Sequence, residues 1–305
     1  MPRKRADRLL VATWNIRALG SFTDKWEAGA RDTPRRDLRS LLCIAEIISR
    51  FDVVAVQELR ADTAALREVL GYLNRRQRDR WRVLATDVTR GDPGNDERLG
   101  LLYDSQKVEP SGLAAEVVLP VTDLIASDAS SVQFARTPYA VSFRSGGERF
   151  TLVTLHVVWG TLPGRTAELA AIAKWLGEWA VDPDLWAGNL IALGDFNVDR
   201  HDSPRWKAFV STGLWLPWEL FDVERSIFGS PGPEDGKYYD QITWFGGDEG
   251  AVSGDRSGPQ LSLKYTRRGG SFDFVPHVLT ECSKQQKSHR ISDHYPLWVE
   301  FERHL

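Results

Sequence analysis

The sequence predicts an α/β protein with two packed sheets and helices on the outside. Three observations carry that expectation. Short apolar runs alternate with stretches of helical periodicity. Some neighbouring runs are joined by a tight turn and others by a whole helix, a mixture that suits layered sheets. No linker or shift of composition divides the chain of 305 residues, so a single domain over 1–305 is expected.

Taken in order, residues 9–14 and 52–57 read as buried strands that end in polar residues. Between them Leu38, Leu41, Leu42, Ala45 and Ile48 recur at helical spacing, and a second helix follows over 61–74. Runs 81–86, 99–104, 139–144 and 150–155 read as strands, the last two joined by a Ser145-Gly146-Gly147 turn. A helix near 165–179 leads to a strand at 190–193, and later strands are expected at 240–245, 271–275 and 295–301. The Gly-rich stretch 246–258 reads as a surface loop.

Composition bounds the function more than it selects it. With 42% hydrophobic and 27% charged residues the chain has material for a large core. The net charge of -3 lacks the basic excess of a protein that clamps long duplex. The clusters Arg35, Arg36, Arg39; Arg75, Arg76, Arg78, Arg80; and Lys264, Arg267, Arg268 read as solvated faces. Cys43 falls on the apolar side of a helical pattern and reads as a structural thiol; two distant cysteines exclude a zinc cluster. The run Leu9-Leu10-Val11-Ala12 is too short for a signal segment, and nothing approaches the roughly 20 apolar residues of a membrane span. A cytoplasmic protein without stable membrane association is expected; the sequence carries no signal for protein partners.

The chemistry lies where apolar strands end. Asn15 follows Thr13-Trp14, Glu58 follows Val56-Gln57, and His156 follows Thr154-Leu155. Asp195 and Asn197 follow Ile191-Ala192-Leu193-Gly194, Asp240 precedes Ile242-Thr243-Trp244, and Asp293-His294 precede Tyr295-Pro296-Leu297. One such residue is ordinary turn or cap chemistry; the repetition points to a shared crevice at one edge of the sheets. Carboxylates, carboxamides and two histidines without cysteine suit a hard, oxygen-preferring cation, Mg²⁺ or Mn²⁺. The same set offers what phosphodiester hydrolysis needs: charge neutralisation, an oriented water and a proton for the leaving oxygen.

Thr13-Trp14-Asn15-Ile16, Val56-Gln57-Glu58, Leu155-His156, Gly194-Asp195-Phe196-Asn197 and Ser292-Asp293-His294-Tyr295-Pro296 span nearly the whole chain. In this order they resemble the endonuclease/exonuclease/phosphatase superfamily, that of deoxyribonuclease I, the abasic-site endonucleases and the inositol-polyphosphate and sphingomyelin phosphodiesterases. The resemblance implies a deoxyribonuclease-I-like four-layer α/β/β/α sandwich. It implies Glu58 as principal metal ligand with Asn15 and Asp293 close by, Asp195 orienting or deprotonating water, and Asn197 holding a phosphate oxygen. His294 would bind the scissile phosphate or act as acid/base, with Asp240 paired to it.

Two further segments resemble deoxyribonuclease-I-like members. Glu97-Arg98-Leu99-Gly100 matches the segment whose Glu supports a second histidine, here His156; abasic-site enzymes carry Asn in that place. Arg136-Thr137-Pro138-Tyr139 matches the segment that presents Arg136 or Tyr139 to phosphate, although for Tyr139 a strand start reads equally well. Gln241 replaces a cation usual beside the site, and the inositol-phosphatase and sphingomyelinase signatures are absent. Arg165 and Glu168, with the Asp-Gln-Ile variant, look like a bacterial subgroup. His201 reads as a surface-loop residue, the basic stretch Lys284–Arg290 as a loop that could meet substrate phosphate, and Trp175, Trp179 and Trp298 as core. Trp159 could stack on a base, with core packing the simpler reading. The expected function is a Mg²⁺-dependent nuclease with nucleic acid as substrate. A phosphatase of phospholipids, inositol phosphates or small phosphoesters and an inactive binding module are the alternatives.

Overall fold

The structure is a computed structural model that describes residues 3–91, 94–119, 125–127, 130–158, 162–182, 189–229, 237–246 and 261–304. In chain order the elements are β1 (Arg8–Leu19), α1 (Leu38–Ile48), β2 (Val53–Arg60), α2 (Ala64–Gln77), β3 (Trp81–Ala85), β4 (Glu97–Asp104) and β5 (Glu109–Glu116). There follow β6 (Ile125–Ser127), β7 (Ser130–Val132), β8 (Tyr139–Ser145), β9 (Glu148–His156), α3 (Leu162–Val181), β10 (Leu190–Asp195) and α4 (Pro204–Phe209). The chain closes with a 3₁₀ turn (Trp218–Leu220), β11 (Asp240–Trp244), β12 (Tyr265–Ser271), α5 (Lys284–Arg290) and β13 (Leu297–Glu302).

Two mixed sheets form the centre, one ordered β12-β13-β1-β2-β4-β3 and the other β11-β10-β9-β8-β5. Each contains one parallel pair with a helix between its strands: β1 and β2 across α1, and β9 and β10 across α3. Parallel neighbours cannot be joined by a hairpin, so these crossovers place a helix on the outer face of each sheet. The remaining pairs in both sheets are antiparallel. β8 and β9 form a hairpin closed by Gly146-Gly147, with Ser145 opposite Glu148. Gly146 has φ +61°, and a Cβ there would meet the His304 carbonyl oxygen at 1.8 Å, so the turn needs glycine.

The alternation along β1 assigns its two faces. Leu9 and Val11 belong to a core cluster shared with the second sheet, whereas Leu10, Ala12, Trp14 and Ile16 pack with α1 and α2. α1 buries Leu41, Ile44, Ala45 and Ile48 on one stripe and is capped by Asp37, whose side chain accepts the Ser40 amide. α3 buries Leu169, Ile172, Ala173 and Leu176 at the same spacing. Each fully buried Leu or Ile in these layers contributes about 1.5–3 kcal/mol relative to exposure. The result is the four-layer α/β/β/α sandwich.

Two expectations need correction. The strand placed at 271–275 lies earlier, at Tyr265–Ser271; Phe272 and Phe274 leave the sheet to fill the α1–α2 side of the core. β12 is an edge strand whose Arg267-Arg268-Gly269-Gly270 stretch has no apolar alternation, so its sequence hides it. Lys284–Arg290 is a helix rather than a loop, opened by a capping box between Ser283 and Gln286. The proposed loop 246–258 lies outside the described residues beyond Gly246, as does Trp159. Trp179 and Trp298 are buried, and Trp175 packs partly buried against the core. Among the described residues no helix is long and apolar enough to cross a membrane.

Candidate active site

Strand register assembles the site. In the second sheet His156 of β9 pairs with Asp195 of β10, and Asp195 pairs with Asp240 of β11. Paired residues share a face and neighbouring strands lie about 4.8 Å apart, so the three side chains stand abreast at one sheet edge. In the first sheet Asn15 is level with Gln57, and the register of β1 and β2 shifts just beyond them. The pairing of β2 with β4 shifts between Val56 and Leu59 as well, and Glu58 sits there at φ 60°. Such irregularities re-aim side chains at functional sites, and the left-handed Glu58 costs on the order of 1–3 kcal/mol.

Asn15 then joins the two sheets. Its Nδ2 donates to Glu58 Oε1 at 3.0 Å and to Asp195 Oδ2 at 3.0 Å. Glu58 Oε2 accepts the Ala18 amide at 2.8 Å. Burial alone would raise the Glu58 carboxyl, but the charges of His156 and His294 and these hydrogen bonds hold it below its ordinary value. Immediately beneath, Gln57 Nε2 donates to Thr13 Oγ1 at 3.1 Å and across the layer to Thr154 Oγ1 at 3.0 Å. This buried polar bolt pins the sheets together under the catalytic groups.

His294 Nδ1 lies 2.7 Å from Asp240 Oδ2. The chain around it is held at several points. Trp14 Nε1 donates to the His294 carbonyl, Ser292 Oγ accepts the His294 amide, and the buried Arg225 donates to the Asp240 carbonyl. Burial opposes a charged imidazole, but Asp240, then Asp195 and Asp293, outweigh it and lift the His294 pKa to about 10. The ring is a fixed imidazolium at neutral pH.

On the other flank His156 Nδ1 is 3.0 Å from Glu97 Oε2, and Arg136 Nε is 2.7 Å from the same oxygen. His156 Nε2 faces Asp195 Oδ2 at 3.7 Å. Glu168 of α3 accepts the amides of Ala135 and Val158, tying the chain beside Arg136 to the chain beyond His156. One turn earlier Arg165 Nη1 donates to the Asn197 carbonyl at 3.0 Å. Gly194, at φ +147°, lets β10 approach β9; a Cβ there would sit 2.0 Å from the Leu155 carbonyl oxygen.

Asn15, Glu58, Glu97, Arg136, His156, Asp195, Asp240 and His294 are therefore brought together, with Asp293 at the rim, where its Oδ2 lies 3.3 Å from Arg17 Nη1. Other expected residues behave differently. Asn197 is buried with φ 51°, donating its amide to Asp195 Oδ1 and its Nδ2 to the Val157 carbonyl. Its backbone amide braces Asp195, and its side chain is held by the Val157 carbonyl. Arg136 is partly buried and paired with Glu97, so it reaches the site through Glu97 and His156. Tyr139 packs within the larger core cluster as a strand residue and does not join the group. His201 is no surface residue: its ring lies 4.2 Å from those of Phe221 and Tyr238 and 4.5 Å from that of Trp206. Burial, then Arg225, depresses its pKa to about 3. Arg36 is buried too, donating to the carbonyls of Arg17, Ala18, Arg290 and Ile291. Sequence reasoning gave no role to Gln57, Arg225 or Tyr239, because buried polar partners leave no local signature.

The family model described as the Endonuclease/Exonuclease/phosphatase family matches residues 12–294. The chain belongs to this family. A family protein from Bacteroides thetaiotaomicron is 19% identical with TM-score 0.59, covering 98% of both chains. Truncated TDP2 from Caenorhabditis elegans is 17% identical with TM-score 0.56, covering 97% of both chains. The human Nocturnin catalytic domain with bound sulfate anion is 16% identical with TM-score 0.58, covering 99% of this chain and 97% of that one. At these identities the likeness shows a common fold. A search of curated proteins gave no match.

Members of the endonuclease/exonuclease/phosphatase family are generally phosphoester hydrolases and typically depend on a divalent metal. Among the described residues no three His, Cys, Asp or Glu side chains form a self-sufficient metal cluster. The donor set still fits a small hard cation. Asn15 Oδ1 is buried without a hydrogen-bond partner among the described residues, beside the ionised Glu58. Mg²⁺ commonly takes one or two carboxylates and completes its shell with water and substrate oxygens.

Proposed function

We propose that this family member is a divalent-metal-dependent phosphodiesterase whose substrate is nucleic acid. The observation that carries the reading is the Asn15 carboxamide spanning Glu58 and Asp195, level with the Asp240–His294 imidazolium pair. It makes one crevice from both sheets, with a carboxylate for water and a cation for phosphate.

Glu58, Asn15 and Asp293 would hold the metal, which supplies Lewis-acid neutralisation of phosphate charge when bound. Asp195, positioned by Asn15 and the Asn197 amide, orients the attacking water and accepts its proton. The His294 imidazolium, held by Asp240, meets the scissile phosphate and donates toward the leaving oxygen. His156, fixed through Glu97, stands beside Asp195 and faces a second phosphate oxygen. The inositol-phosphatase and sphingomyelinase signatures are absent, which favours nucleic acid over those substrates.

The experiment is hydrolysis of plasmid, single-stranded DNA, RNA and a panel of small phosphoesters with Mg²⁺ or Mn²⁺. EDTA is expected to abolish turnover, and His294→Ala or Asp195→Asn to cost at least about 100-fold. Turnover of nucleic acid should weaken steeply as salt rises. Hydrolysis confined to small phosphoesters would refute the nuclease reading, and a nearly active Asp195→Asn protein would refute the role of Asp195.

A further inference from the structure

The arginines at 35, 36 and 39 have separate fates in the folded chain. Arg36 is taken up by four backbone carbonyls, and Arg39 by Glu27 and Glu281. Arg35 is exposed; its Nη1 donates to the Gly29 carbonyl at 2.8 Å, and among the described residues it forms no ion pair. Asp32 feels its charge, but that carboxylate is already held by Lys25 Nζ at 2.8 Å and by the Gly29 amide at 2.7 Å. Arg35 lines a cavity of about 440 Å³ together with residues 28–30 and, from α5, Gln285, Gln286, His289 and Arg290.

That lining suits a phosphate. It contains no carboxylate, in a chain whose 42 acidic residues outnumber its 39 Lys and Arg. Arg290 has its counter-charge in Asp37, so Arg35 is the cation the cavity offers to a ligand. Gln286 Oε1 accepts the Ser283 amide in the capping box, and its Nε2 has no partner among the described residues. Gln285 Nε2 and His289 Nε2 lie 3.1 Å apart. A guanidinium fork beside neutral amide and imidazole groups binds an oxyanion without a competing carboxylate. Ala28, Gly29 and Ala30 add no long side chain to fill the space.

The cavity is also fixed to the metal-ligand flank of the catalytic group. Arg17 Nη1 donates to Ser288 Oγ at 3.0 Å and to Asp293 Oδ2 at 3.3 Å, so the residue before His289 shares a guanidinium with Asp293. Arg36 ties Arg17 and Ala18, whose amide holds Glu58, to Arg290 and Ile291. His289 precedes Asp293 by four residues, which keeps their Cα atoms within about 14 Å. Nucleotides of one duplex strand advance about 3.4 Å each, so that span is about four nucleotides.

We propose that Arg35, Gln285, Gln286 and His289 form a subsite for a backbone phosphate of the substrate strand, within about four nucleotides of the phosphate being cleaved. The inference rests on the nuclease reading and deepens it: the enzyme grips the strand beyond the scissile bond, on the Asp293 side. These residues bind substrate and take no part in proton transfer.

The test follows binding of a fluorescein-labelled twelve-nucleotide oligothymidylate by anisotropy in EDTA, from about 50 to 200 mM salt. Arg35→Gln is expected to weaken binding about tenfold at the lowest salt. It should also make the slope of log affinity against log salt shallower by about 0.7, the share of one phosphate contact on a single strand. Arg35→Lys should keep the slope, and Gln285→Ala should weaken binding several-fold at unchanged slope. Arg31→Gln, at an exposed arginine of the same loop outside the cavity, should change neither. With Mg²⁺, the ratio of kcat/KM for the twelve-nucleotide strand to that for the dinucleotide TpT should fall about tenfold in Arg35→Gln, through the longer substrate alone. No strand binding by the wild type, or unchanged affinity and slope in Arg35→Gln, overturns the subsite. Should Arg35→Gln fail to fold, Ala30→Glu puts a carboxylate into the cavity and removes no contact; undiminished strand binding there overturns the subsite equally. Weaker binding in Arg35→Gln, in a protein that cleaves no strand, keeps the subsite and removes the nuclease reading. Strand cleavage with equal affinity and slope in both proteins does the reverse.

Discussion

Asp240→Asn isolates the electrostatics of the acid–base pair. The substitution keeps the shape of the side chain and removes the counter-charge 2.7 Å from His294 Nδ1. Moving the imidazole pKa from 6.5 to about 10 corresponds to about 5 kcal/mol of preferential interaction with the charged ring. Asp240 is the foremost of the groups that raise it, and burial works against them. Without Asp240 only Asp195 and Asp293 are left to oppose burial, so the pKa of the ring is expected to fall well below its wild-type value and the ring to lose its charge at a lower pH. The assay is an NMR titration of the imidazole signals of the six histidines in metal-free protein. One ring should remain protonated past pH 8 in the wild type and lose that property in Asp240→Asn. Because the folded pKa is raised, the pair stabilises the fold fully below pH 6.5 and the contribution is lost as pH rises toward 10. Alkaline unfolding of the wild type should show that loss, and Asp240→Asn should start lower and lack it. A His294 signal that titrates alike in both proteins would refute the assignment of Asp240 as the source of the charge.

Three other perturbations test the scaffold. Gly194→Ala forces a Cβ against the Leu155 backbone at φ +147°, so a loss of more than about 3 kcal/mol is expected by urea unfolding; an unaltered midpoint would contradict the close approach of β9 and β10. Gln57→Leu leaves the Thr13 and Thr154 hydroxyls without their shared partner between the sheets and should cost about 2–4 kcal/mol, read as a lower urea midpoint at unchanged slope. His201 is depressed to about 3, so it stabilises the neutral protein fully above pH 6.5 and the contribution fades as pH falls toward 3. His201→Phe, which keeps the aromatic packing, should flatten that acid limb in thermal unfolding between pH 6.5 and 4, and an identical limb in both proteins would show that His201 does not drive it.

Much of the fold was legible because burial writes periodicity into sequence. The Leu41–Ile48 stripe, the apolar runs of β1, β2, β9 and β10, and the Gly146-Gly147 hairpin each declare themselves within a few residues. β12 and β5 do not, since edge strands with exposed faces need no apolar alternation. The first strand of the site motif and the last were readable as polar residues ending apolar runs. The contacts that set their chemistry were not.

From the sequence alone came the residue types, their placement at strand ends and the hard-oxygen character of the donor set, all of which are local properties. Tertiary structure alone decided that Asn15 spans Glu58 and Asp195, that the Asn197 backbone amide braces Asp195, and that Tyr139 belongs to the core. It also placed His201 in an aromatic cage and set Tyr239 beside His294. The physical reason is that each of these depends on strand register, on bulges at Asn15 and Glu58, or on packing between residues far apart in the chain. A linear pattern shows which groups are available, but the field and the hydrogen bonds around each group exist only once distant strands are paired.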